Sequence, residues 1–298
     1  MRCVAVLLAV SAACALSAQE TLFRPQQTTV GQEPVSLGTT SAGLLTVRAE
    51  LEGKPCVLLV DTGASHSTWD RDWVRRNLPE TPLRPIAVEG ETNVREALAV
   101  FPVTRLKVGG SEFGRFLGVA VPLAHLSRSV GAEVAGILGM NVMGQAPFRL
   151  SVKDARLEWR AGQTPPPGAV RLPVGQDQGD NCFYLKAQSG TGSKPFAVLL
   201  DSGANVTVMP QGQWPEEGGA AELSATDVNA ADQARAFRKG RRGELLLGDF
   251  RATITPVVQS GGPALLGADT LKGFDLFLDG KARQAWAAPH PKAPEGMP

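Results

Sequence analysis

Val57-Leu58-Leu59-Val60-Asp61-Thr62-Gly63-Ala64-Ser65 returns later in the chain as Ala197-Val198-Leu199-Leu200-Asp201-Ser202-Gly203-Ala204-Asn205. Each copy is an apolar run ending in Asp, followed by a hydroxyl residue, Gly and Ala. Each is preceded at the same offset by Lys-Pro, Lys54-Pro55 and Lys194-Pro195. Each is followed, at a comparable spacing, by two apolar residues and Gly: Ile137-Leu138-Gly139 and Leu265-Leu266-Gly267. One Asp-Ser/Thr-Gly alone is a weak signal, because a turn after a buried strand can have the same spelling. The pair with its shared flanks is not explained that way. The chain is one unit written twice, and each copy delivers one carboxylate. Two carboxylates held face to face do not both ionise easily, so they share a proton, and the ionised partner can draw a proton from water.

On these motifs the chain resembles the retropepsin-like and pepsin-like aspartic peptidases, over Leu44 to Ala288. The resemblance implies an all-β, two-lobed acid-protease fold, each lobe a small closed β-barrel, with the active-site cleft between lobes. It implies an aspartic endopeptidase, a hydrolase acting through a water activated between Asp61 and Asp201, one from each repeat. It further implies that the Thr62 and Ser202 hydroxyls bond backbone of the opposite loop, and that each later apolar-apolar-Gly strand completes a psi-shaped crossing. From the residues themselves, Gly63 and Gly203 let backbone approach the carboxylates and offer them N–H donors. Ala64 and Ala204 resemble retroviral motifs, where pepsins usually carry Ser or Thr. Retroviral enzymes assemble the site from two identical chains, whereas both halves stand here in one. Asn205 takes the place of Ser65 in the second copy. Pepsins carry a Tyr in a single overhanging flap, but the only tyrosine here, Tyr184, falls in an expected core strand, so flap contacts are not carried over. The alternative is a catalytically silent peptide-binding module on the same fold, since a fold alone does not dictate activity. A silent descendant would be expected to lose a carboxylate, and both are kept.

The 298 residues suffice for two lobes of ordinary domain size. With 43% hydrophobic but only 6% aromatic residues, 33 Gly and 22 Pro, the mix suits strands and turns better than a helical bundle. A net charge of +1 offers no field for nucleic acid. The expected partner is a polypeptide substrate, the expected working form a monomer, and no cofactor is called for. His66, His125 and His290 show no metal-ligand spacing, so no metal is expected. The absence of G-x-S-x-G, H-E-x-x-H and paired C-x-x-C motifs argues against serine and zinc hydrolases. No internal stretch is long and apolar enough to span a bilayer. The start reads as an export signal: Arg2, an apolar run from Cys3 to Val10, then small residues to Leu16-Ser17-Ala18, with cleavage before Gln19. Lipid attachment at Cys14 is the alternative, although Ser11 departs from the usual pattern. The expected location is periplasmic or secreted. Cys56 and Cys182 remain, with a disulfide and two buried thiols both open.

The expected organisation is a leader over 1–18, a flexible lead-in or propeptide over 19–41, and a first lobe over 42–160. A Pro/Gly linker over 161–170, a second lobe over 171–288 and a disordered tail over 289–298 follow. Alternation from Thr46 to Leu51 predicts a half-buried strand, Glu52-Gly53-Lys54 a hairpin turn, and Cys56 to Val60 a strand buried on both faces. Ser65 to Asn77 reads as a short helical return with Trp69 and Trp73 as packing residues. A hairpin overhanging the cleft is expected over Val88 to Val103, turning at Glu89-Gly90-Glu91, with its counterpart within Ala225 to Arg238. Leu106 to Gly110 and Leu245 to Phe250 read as matching hairpins. Asn205-Val206-Thr207 fits a glycosylation sequon but overlaps the second motif, so it is read as chance.

Overall fold

The computed structural model describes residues 4–7, 20–89, 95–159, 165–176, 180–227 and 235–290. Strands dominate these residues and the helices are short. The fold is the all-β, two-lobed acid-protease arrangement, and each repeat builds the same crossing of strands. In the first, Leu45–Leu51 and Lys54–Val60 form a hairpin through Glu52 and Gly53, both with left-handed φ (49° and 80°), the geometry that suits a twisted two-residue turn. The Glu52 carboxylate bonds the Thr104 and Arg105 N–H groups and the Thr104 hydroxyl, tying this turn to the next hairpin. Lys54–Val60 runs parallel to Gly136–Leu138. That strand is antiparallel to Thr68–Asp70, which is parallel to Phe116–Val121.

The second repeat follows the same plan. Phe196–Leu200 is parallel to Ala264–Leu266, which is antiparallel to Val208–Pro210, which is parallel to Val257–Gln259. The apolar runs that signalled buried strands are buried: Leu58, Val60, Val198 and Leu200 are wholly inaccessible. Each repeat also carries a long hairpin, Arg84–Glu89 with Arg95–Val103 and Glu216–Asp227 with Arg235–Gly240. Both begin earlier than the sequence patterns suggest. Glu89 pairs with Arg95 near the end of the first hairpin, while Gly90 and Glu91 lie outside the described residues. The first repeat's strands join in one eleven-stranded sheet. The sheet curls, and its outer edges, Gln27–Thr29 and Arg84–Glu89, are not paired with one another among the described residues.

A six-stranded antiparallel sheet joins the two halves. Its order is Val170–Arg171, Gln284–Pro289, Phe274–Asp279, Phe148–Ser151, Arg156–Trp159 and Val35–Ser36. Phe148 pairs with Leu278 across the seam between the repeats. One apolar cluster runs from Leu58 and Leu138 of the first half to Leu200 and Leu266 of the second, so the halves share a core.

Two expectations need correcting. The helix after the first loop spans only Arg71–Asn77, because Thr68–Asp70 is taken up by the crossing and Asp70 then caps the helix, accepting the Trp73 N–H at 2.8 Å. Trp69 is fully buried against Phe101 and Phe116, as a packing residue should be. The lead-in is built into the sheets rather than loose. Gln27–Thr29 pairs with Ser111–Gly114, Val35–Ser36 with Arg156 and Leu157, and Gly38–Thr39 with Leu45 and Thr46. Phe23 is 1% exposed. The cause is that sheet edges leave N–H and C=O groups unpaired, and this segment satisfies them. Val4–Leu7 runs parallel to Ser224–Asp227 on the second long hairpin. Linker residues 161–164 and tail residues 291–298 lie outside the described residues. Among the described residues no helix is long and apolar enough to cross a membrane.

Candidate active site

Each buried strand ends at an Asp whose backbone N–H still belongs to the crossing. Asp61 N donates to Leu138 O and Asp201 N to Leu266 O, both at 3.1 Å. Beyond Gly139 and Gly267 the chain turns back to bond the loops: Met140 N to Ala64 O at 2.8 Å and Ala268 N to Ala204 O at 2.7 Å. These two glycines are needed because a side chain on either would collide with the backbone of its own loop, at His66 or at Val206.

The two loops then lock together. The Thr62 hydroxyl donates to Leu200 O at 2.8 Å and accepts from Ser202 N at 3.0 Å. The Ser202 hydroxyl donates to Val60 O at 2.9 Å and accepts from Thr62 N at 3.0 Å. The four bonds are reciprocal and buried. They fix the separation of the strand ends, and so of the carboxylates that follow. Gly63 and Gly203 press on the opposite carboxyl: a Cβ at Gly63 would stand 2.7 Å from Asp201 Cγ, and one at Gly203 would meet Asp61 Cγ closer still.

Asp61 and Asp201 are completely buried. One oxygen of each is held by its own loop. Asp61 Oδ1 accepts from Gly63 N at 2.8 Å and Ala64 N at 3.1 Å, and Asp201 Oδ1 from Gly203 N at 2.9 Å and Ala204 N at 3.0 Å. No N–H or O–H group of the described residues donates to either Oδ2, and each carboxyl stands against the glycine of the opposite loop, where the charge of Asp201 acts on Asp61. A proton between the carboxyls satisfies that arrangement. Burial, and then the charge of Asp201, holds Asp61 well above the ordinary carboxylate range, against the pull of the Gly63 and Ala64 N–H groups. Burial lifts Asp201 from 3.8 to about 6, opposed by the Ala204 N–H, the bond from Asp61 and the Gly203 N–H. Both carboxyls are raised by burial, so the pair shares a proton above the ordinary carboxylate range, and its titration belongs to the pair.

Residues that the motifs did not single out support these loops. In the first repeat Ser67 Oγ donates to Asn141 Oδ1 at 2.9 Å and accepts from Gly139 N at 3.0 Å. In the second, Thr207 Oγ1 donates to Asp269 Oδ1 at 2.7 Å and accepts from Gly267 N at 3.1 Å. Burial raises Asp269 above its ordinary range. Ser67 and Thr207 stand at the same offset from their Asp, and Asn141 and Asp269 at the same offset from their Gly, so extending the repeat alignment would have found them. Thr207 is fully buried, in keeping with a chance sequon.

Cys56 and Cys182 are both free and buried, which decides against the disulfide. Cys56 packs in the first core, while the Cys182 thiol donates to Gly63 O at 3.4 Å, beneath the Asp61 loop. Burial pushes the Cys182 thiol far up, so it stays a neutral donor. Tyr184 lies in the strand Tyr184–Ala187, with its hydroxyl on Asp180 Oδ2 at 2.7 Å, while Asp180 Oδ1 accepts the Cys182 N–H at 3.0 Å. Arg283 closes this corner by donating to Asn181 O and Cys182 O and lying over the Phe183 ring.

Comparison with known families agrees with the division into repeats. Residues 47–142 match the family model described as aspartyl protease, and residues 185–279 match that of the retroviral aspartyl protease. No curated protein matches the chain.

Proposed function

The chain belongs to the retropepsin-like aspartic peptidases, with two repeats in tandem, and from that premise we propose that it is an endopeptidase whose reacting pair is Asp61 and Asp201. The observation that carries the reading is the pair of fully buried carboxyls, each set against the glycine of the opposite loop and each with one oxygen that no donor of the described residues meets. Asp61 holds the proton and Asp201 is the base. Asp201 takes a proton from a water lodged between them, and the water oxygen attacks the carbonyl carbon of the substrate amide. Asp61 gives its proton to the carbonyl oxygen as charge develops there, in surroundings where water does not screen the interaction. Asp201 then passes its proton to the amide nitrogen while one hydroxyl of the tetrahedral diol returns a proton to Asp61, so the carbon–nitrogen bond breaks to give acid and amine and the pair is restored. Thr62 and Ser202 hold the loops at the spacing this exchange requires, and Gly63 and Gly203 supply the N–H groups that orient each carboxyl.

The two long hairpins, Arg84–Glu89 with Arg95–Val103 and Glu216–Asp227 with Arg235–Gly240, are the proposed flaps, with Glu89 at the end of one arm of the first. The export signal expected at the start of the chain makes an exported compartment the proposed location, and with both halves in one chain the proposed working form is a monomer.

The test is digestion of a mixed peptide library by the chain without its leader. Asp61→Asn and Asp201→Asn, each confirmed folded by circular dichroism, should each lower cleavage by on the order of a thousandfold or more, because the carboxyls act as one unit. Near wild-type cleavage by either variant would remove the dyad mechanism. A wild-type chain that binds peptides and cleaves none would favour the silent binding module.

A further inference from the structure

At one end of the six-stranded sheet three side chains converge that have no part in the reaction above. Asp154 lies in the turn between Phe148–Ser151 and Arg156–Trp159, Asp275 in Phe274–Asp279, and His290 just beyond Gln284–Pro289. Leu150 pairs with Leu276, and Asp275 with Ala288, so adjacent strands bring all three to the same end. One ligand-type atom from each lies within 4.8 Å of the others.

The Asp275 side chain is only 7% exposed. Its Oδ2 is taken by Arg149, through Nε at 3.1 Å and through Nη2. Its Oδ1 is buried with no hydrogen-bond partner. His290 Nδ1 stands 3.8 Å from that oxygen, too far for a hydrogen bond. It is, however, the separation of two ligands on one ion: bonds of about 2.1 Å opening at roughly 110–130° span ~3.4–3.8 Å. His290 Nε2 is also buried without a partner. Asp154 is steadied by Ser151, whose hydroxyl donates to its Oδ2 at 3.1 Å and accepts its N–H at 3.2 Å. Each carboxylate is thus oriented by an outer partner, the support that metal ligands commonly receive.

We propose that Asp154, Asp275 and His290 form a binding site for a divalent cation of the zinc type. Two carboxylate oxygens and one imidazole nitrogen suit zinc, whereas calcium and magnesium take shells of oxygen. Water completes the coordination on the exposed Asp154 side. Arg149 offsets part of the Asp275 charge but is itself shared with Glu158, 3.7 Å from its Nη1, so the site is of moderate affinity. Asp154 belongs to the first repeat and Asp275 to the second, and His290 follows directly after the strand Gln284–Pro289 that pairs with the Asp275 strand. The bound ion is therefore a clamp across the seam between the halves. Sequence spacing could not reveal it, because the three ligands come from distant parts of the chain.

The inference stands apart from the peptidase reading and is tested without any activity measurement. Untagged chain lacking its leader, stripped with a chelator and dialysed, is titrated with zinc chloride by calorimetry at neutral pH, with calcium chloride in parallel. One saturable zinc site per chain is expected, tighter than any calcium uptake, together with a zinc-dependent rise in melting temperature. Asp154→Asn, in an exposed turn, and His290→Gln should each weaken zinc binding about tenfold or more and abolish that rise. No saturable zinc uptake, or uptake that both variants keep unchanged, would overturn the proposal.

Discussion

Replacing Asp201 with Asn should make the folded protein more stable at neutral pH while removing the group proposed to act as base. The Asn carbonyl can keep the two bonds from Gly203 N and Ala204 N. Its NH2 group can turn to the Asp61 oxygen that lacks a donor. The gain follows from linkage. Burial raises Asp201 from 3.8 to about 6, so the folded state holds this proton more tightly than the unfolded chain does. Below the lower value both states are protonated and the group carries no penalty. As pH rises through the window the unfolded chain ionises first, and stability falls until the folded carboxyl has ionised too. At about 1.4 kcal/mol per unit over roughly two units, the penalty at neutrality is ~3 kcal/mol, a substantial part of the roughly 5–15 kcal/mol that stabilises a typical domain. Asn never ionises and escapes it. Asp61 benefits as well, because the charge of Asp201 is the second cause of its own raised pKa. The assay is urea unfolding followed by the emission of the buried Trp69, Trp159 and Trp214, for wild type and variant at steps from about pH 3.5 to 7.5. The gap in unfolding free energy should open between the two pKa values and reach ~3 kcal/mol at neutral pH. A variant no more stable than wild type at neutrality, or a gap that ignores pH, would refute this account of the buried pair.

Other consequences are as direct. Thr62→Val keeps the shape but leaves Leu200 O and Ser202 N unpaired in the interior, so it should cost about 2–5 kcal/mol, whereas Thr62→Ser should cost only about 1 kcal/mol; equal losses in urea titrations would count against the hydroxyl brace. Cys56 and Cys182 should label with a thiol reagent only as fast as the protein unfolds, and immediately in denaturant. Rapid labelling of either in the native protein, or a reducible bond between them, would contradict their burial.

The paired loops were readable because their constraints are spelled locally. The apolar run, Asp, hydroxyl, Gly and Ala each answer a neighbour within a few residues or an equivalent neighbour in the other copy. The linked Ile137-Leu138-Gly139 and Leu265-Leu266-Gly267 strands were readable because backbone crowding at Gly139 and Gly267 leaves no room for a side chain. What escaped depends on partners remote in sequence. Residues 20–39 look polar and irregular, yet sheet edges elsewhere fix them, with Asn141 Nδ2 reaching Phe23 O at 2.7 Å. The helix start at Arg71 was masked by the Trp69 and Trp73 spacing, which fits a helix but is divided between a strand and a helix. Cys182 gave no signal because its contact with Gly63 crosses from one repeat to the other.

The loop supports are alike in plan and unlike in detail: Ser67 with Asn141 on one side, Thr207 with Asp269 on the other, and the Cys182 thiol under Gly63. Two copies of one identical chain would make a site indifferent to direction, since turning it half a revolution reproduces it. Here half a revolution exchanges an amide for an acid. An extended polypeptide laid across the two loops would therefore meet a different wall on its amino side than on its carboxyl side. Tandem duplication within one chain gives such a groove a sense of direction, and each wall is free to change without changing the other.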